Sequence, residues 1–128
     1  MSLHVKFTED GTGVIITAHG TFTVDEYMEA IRQSDELMLT VTHKVDVIID
    51  LTDCPRLPKN VLIIFSPIAG RVVPLNFSGN LVMVGAKPNM MEKVRLYSDI
   101  FRKIIFIDAL PNALKLLEEK RNQSGPPI

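Results

Sequence analysis

The chain has 128 residues, 46% of them hydrophobic and 23% charged, with a net charge of -1. These are the proportions of one ordinary globular domain with a sizeable core. They give no reason to expect nucleic-acid binding. The single cysteine, Cys54, excludes an internal disulfide and a cysteine-based zinc site, and fits a reducing compartment.

Val5-Lys6-Phe7-Thr8 alternates, Glu9-Asp10-Gly11-Thr12-Gly13 is a turn cluster, and Val14-Ile15-Ile16-Thr17-Ala18 is a second apolar run. Together they predict a β-hairpin. Thr23-Val24-Asp25-Glu26 has the spacing of a capping box. Tyr27, Ala30, Ile31, Ser34, Leu37, Met38 and Val41 then recur at helical spacing, which predicts an amphipathic surface helix.

Val45-Asp46-Val47-Ile48-Ile49-Asp50-Leu51 is nearly continuous apolar sequence, mostly β-branched. It predicts a strand covered on both faces, as in a parallel sheet under helices. Partners and ligands of open α/β sheets gather at the carboxyl ends of strands. The loop after this strand is therefore the candidate interaction site, with Asp50, Thr52, Asp53, Arg56, Lys59 and Asn60. The same polar residues also suit simple capping of the strand end and the next helix.

Val61-Leu62-Ile63-Ile64-Phe65 is too short for periodicity to separate strand from helix. The alternation of strands and helices favours a helix from near Pro58, ended or kinked by Pro67. The surplus of apolar residues up to Leu75 marks a candidate interface or pocket, with Leu62, Ile63, Phe65, Ile68 and Val72. Leu81–Gly85 predicts a further buried strand, and Asn89-Met90-Met91-Glu92 a capped helix. Ile104–Ile107 predicts a short last strand. Asp108 can cap a closing helix with Pro111 in its first turn. Ala113, Leu114 and Leu117 give that helix its buried face, and Glu118 to Arg121 its solvated end. Residues 1–120 form the expected domain, and 121–128 a disordered tail.

The order is β-β-α-β-α-β-α-β-α, which argues for a single α/β domain. Its mixed, mainly parallel sheet has about five strands and about four helices. This arrangement resembles the STAS domains, and within them the SpoIIAA-like, anti-sigma-factor-antagonist branch. Three stretches carry the likeness: Gly20-Thr21-Phe22-Thr23, Val47-Ile48-Ile49-Asp50-Leu51-Thr52 and Phe106-Ile107-Asp108-Ala109-Leu110-Pro111-Asn112-Ala113-Leu114. The resemblance spans Val14 to Leu117 and implies a regulatory module. It departs from the antagonists where their phosphorylated serine falls, since Pro58-Lys59-Asn60 stands there. The phosphorylation switch is therefore not carried over.

No catalytic constellation is visible. His4, His19 and His43 are scattered in sequence, no glycine-rich phosphate loop precedes a helix, and no serine elbow is present. A hydrolase or transferase built on Asp50, Asp53 and Cys54 is the weakest reading. The leading expectation is a non-enzymatic interaction module that binds a protein partner or itself as a homodimer, with no cofactor and no metal. The alternative is a carrier of a small apolar, lipid-like ligand in a pocket lined by residues 61–75. No apolar run reaches the roughly 18 residues that span a bilayer, so a cytoplasmic protein without a transmembrane segment is expected.

Overall fold

The computed structural model describes residues 2–58, 74–98 and 104–123. The expected hairpin is present. Strand β1 (Leu3–Phe7) pairs antiparallel with β2 (Gly13–His19), with Val5 opposite Ile16. Asp10 closes the turn, its Oδ1 accepting from the Thr8 hydroxyl at 2.7 Å, the Thr12 amide at 3.0 Å and the Thr12 hydroxyl at 2.7 Å.

Helix α1 (Val24–Met38) begins in the expected capping box. Thr23 Oγ1 accepts the Glu26 amide at 3.1 Å, and Glu26 Oε1 accepts the Thr23 amide at 3.0 Å. The other oxygen of Glu26 accepts the Ser2 amide at 2.9 Å, so one carboxylate holds both the helix start and the chain leading into β1. The helix ends three residues before Val41, which stays on the core through a tighter last turn. Asn76 lies just ahead of β4. Its side-chain amide donates to the carbonyls of Met38, Val41 and His43, at 2.7, 3.2 and 3.2 Å. The carbonyls left over at the end of α1 are thereby satisfied from a distant part of the chain.

Strands β3 (Val45–Asp53), β4 (Phe77–Val84) and β5 (Ile105–Ile107) follow in parallel, and the sheet runs β1-β2-β3-β4-β5. Helices α2 (Pro88–Ser98) and α3 (Leu110–Gln123) complete the described residues. This is the mixed, mainly parallel α/β sheet expected from the sequence, with three helices among the described residues. The helix expected from Pro58 falls in 59–73, outside them.

Alternation sorts the apolar strands onto two faces. Val14, Ile16, Ala18, Val47, Ile49, Leu51 and Met83 pack with Tyr27, Ala30 and Met38 of α1 and Met90 and Val94 of α2. Ile15, Ile48, Val82 and Val84 pack with Ala113 and Leu117 of α3 on the other face. The continuous apolar run of β3 is thus explained, because both of its faces are covered.

Three boundaries differ from expectation. β4 begins at Phe77 rather than Leu81, because Ser78 and Asn80 have buried polar partners that their residue types do not advertise. α2 begins at Pro88, not after an Asn89 cap. Proline suits a first helical position, and the amides of Met90 and Met91 bond to the Lys87 carbonyl. α3 continues to Gln123, so the expected tail starting at residue 121 is corrected for 121–123. Arg121 is not a solvated end but an anchor, described next.

Candidate functional site

The loop after β3 is braced from several sides. At the end of β3, Asp50 Oδ1 accepts the Thr52 amide at 3.0 Å and the Thr52 hydroxyl at 2.6 Å, a local bond of the kind short polar side chains make to nearby backbone. The Cys54 amide bonds to the Leu51 carbonyl, and the Gly20 amide to the Asp53 carbonyl. Lys87 Nζ crosses from the end of β4 to the carbonyls of Cys54 and Thr52, at 2.7 and 3.3 Å. Gly85 lies against Thr52 with a φ of +70, and a Cβ there would fall 2.6 Å from Thr52 Oγ1. Only glycine meets both demands, a left-handed backbone and a near-contact with the neighbouring strand.

Of the residues expected at this site, Asp50 is half-buried, while Thr52, Asp53 and Arg56 are exposed. Arg56 also lines a hollow with Thr21, Phe22, Leu57 and Pro58. Lys59 and Asn60 lie outside the described residues, as do Leu62, Ile63, Phe65, Ile68 and Val72. No hydrogen bond joins Asp50 to Asp53 among the described residues. Cys54 is fully buried and its thiol donates to the Arg56 carbonyl at 3.1 Å. Burial pushes its pKa up, against weaker opposing effects of the Arg56 backbone and of Lys87. A buried, neutral thiol is a poor nucleophile.

The structure adds a polar centre that the sequence reading passed over. Asp46 stands in the apolar run of β3 and is only 3% exposed. Its Oδ1 accepts the Ser78 hydroxyl at 2.5 Å and the Asn80 amide at 3.0 Å. Its Oδ2 accepts Arg121 Nη1 at 2.9 Å, and Arg121 Nη2 lies 3.6 Å from Asp10. The last turns of α3 are thereby tied to β3, to β4 and to the β1–β2 turn. Thr8, Thr12 and the Thr12 amide hold the Asp10 carboxyl at a pKa of about 2, with the Thr12 bonds foremost. Beside this centre a cleft of about 370 Å³ opens between α3 and the sheet.

His4 and His19, distant in sequence, meet across the hairpin with ring centroids 4.8 Å apart and planes at 81°. The pairing of Leu3 with Ala18 makes them diagonal neighbours on one face. The hairpin signal alone could have brought them together. No group of three or more His, Cys, Asp or Glu side chains among the described residues is placed to hold a metal ion.

No family model and no curated protein matches the chain. Among solved structures it is similar to a protein of the DUF3478 family with a SpoIIAA-like fold from Shewanella loihica PV-4. The TM-score is 0.60 at 14% identity, over 90% of this chain and 91% of that one. No helix among the described residues is long and apolar enough to cross a membrane. A hairpin opening a parallel sheet, helices on both faces and this end-to-end match give the chain a SpoIIAA-like fold.

Proposed function

We propose that the protein is a non-enzymatic regulatory module that binds a protein partner through the loop after β3. One observation carries this reading. The end of β3 and the loop after it are held by Asp50, Lys87 and Gly20, while Asp53 and Arg56 are exposed charges. A surface already ordered before contact loses less conformational freedom on binding. Opposite charges at Asp53 and Arg56 favour a partner with its own mixed charges and supply orientation rather than bulk affinity. The position corresponding to the antagonists' phosphorylated serine is occupied by Pro58-Lys59-Asn60, so this binding is not switched by phosphate there.

The test is a quantitative pull-down with the full chain and with Asp53→Lys combined with Arg56→Glu. Circular dichroism checks that both are folded. Recovery of a partner by the parent chain, reduced at least about tenfold by the double charge reversal, supports the reading. Equal recovery of every bound protein by the two chains would sink it.

A further inference from the structure

The sheet face that carries α3 is covered unevenly. Among the described residues, α3 packs over β3, β4 and β5 and meets the β1–β2 side at Ile15 and, through Arg121, at Asp10. The cleft of about 370 Å³ runs along that side, the size of a small-molecule site. Its floor is Ile15 and Ile48, and its wall is formed by Leu114 and Leu117 of α3. Leu117 is buried, whereas Leu114 is 39% exposed. Among the described residues, Leu114 gives the cleft exposed apolar surface over a buried apolar floor.

The charges around it are unbalanced. Glu9, Asp10, Asp46 and Glu118 line it, against Lys6 and Arg121. Four carboxylates and two cations leave a net -2. Arg121 and Asp46 cancel as a pair, so Glu9, Asp10 and Glu118 against Lys6 carry that excess. Asp10 stays ionised throughout the physiological range because Thr12 and Thr8 hold its carboxylate. The cleft thus offers an incoming molecule an apolar wall beside a negative potential, and low-dielectric walls focus such a field.

We propose that this cleft binds small organic monocations, with an apolar body against Leu114 and Leu117 and an ammonium group toward Glu118 and Asp10. Lys6 is exposed at the β1 side and is the chain's own competitor for those carboxylates. Anionic molecules of the same size meet the same wall but the wrong potential. The site lies on the α3 face, beside the amino-terminal end of β3. It is independent of the loop proposed above to bind a partner.

Hexylammonium, hexanoate and hexanol make a matched set of probes for an amide-resolved NMR titration of the full chain. Hexylammonium should give saturable shifts at Ile15, Ile48 and Leu114, about tenfold tighter than hexanoate, and weaker as salt is raised. Glu118→Gln should weaken it several-fold, and Lys6→Met should tighten it. Both positions are at the cleft's rim, and neither belongs to the Asp46 centre. Equal affinity for hexylammonium and hexanoate would overturn the proposal. So would shifts confined to the opposite face, or no saturation by any probe.

Discussion

Arg121→Met removes the cation from a carboxylate that, among the described residues, has no other charged partner so close. The Asp46 side chain is 4% exposed and the Arg121 side chain 35%. Breaking a fully buried pair by deleting one partner costs roughly 3–5 kcal/mol, because an uncompensated ion stays behind. Two features lower that figure here. Ser78 and Asn80 still donate to Asp46, and solvent reaches the arginine side of the pair. The methionine keeps much of the aliphatic stem, so the lost packing is small. The expected cost is about 2 kcal/mol, which for a chain of this length is roughly 8 °C in Tm. Urea unfolding followed by far-ultraviolet circular dichroism measures it. Asp46→Asn and the double variant complete a thermodynamic cycle, with a coupling of about 1.5 kcal/mol expected between the two sites. A loss below about 0.5 kcal/mol for Arg121→Met, or strict additivity in the cycle, would refute a working ion pair under α3.

Gly85→Ala should destabilise the fold by about 2–3 kcal/mol in the same assay, since it adds a Cβ against Thr52 at a left-handed φ. A near-neutral result would mean that the β3 and β4 ends can part without cost. Asp10 should titrate by carboxyl NMR with a midpoint near 2, and Thr12→Val should move that midpoint upward. Because the folded pKa lies below the unfolded one, Asp10 stabilises the fold fully above the unfolded value of about 4. That contribution fades as pH falls toward about 2. An unshifted midpoint in Thr12→Val would show that the Thr12 hydroxyl does not hold this carboxylate down.

The elements that local chemistry specifies were legible in the sequence. The capping box at Thr23 and Glu26 and the hairpin around Gly11 need only neighbours a few residues apart. The doubly covered β3 was legible because both faces of an apolar run are apolar. Asp46 was hidden by that same run. A single carboxylate among branched aliphatics reads as an interruption, and its cation lies 75 residues later in the chain. Ser78, Gly79 and Asn80 hid the first half of β4 for a related reason. Their strand conformation is favoured by a tertiary polar contact, not by intrinsic preference. Within the loop after β3, exposure of Thr52, Asp53 and Arg56 followed from their polarity. The bracing by Lys87 did not, because it depends on two parallel strands ending side by side.

The strand order also bears on how the molecule is made. Among the described residues, every strand lies beside its predecessor in sequence, so none of them has to be inserted between two already paired. Each parallel pairing, such as Val47 with Leu81, still closes a long loop, and such non-local pairing is the slow part of folding. Growth can proceed in one direction, from the hairpin to the three-residue β5. α3 then closes the second face when Arg121 reaches Asp46, completing an ion pair whose carboxylate lies in the third strand.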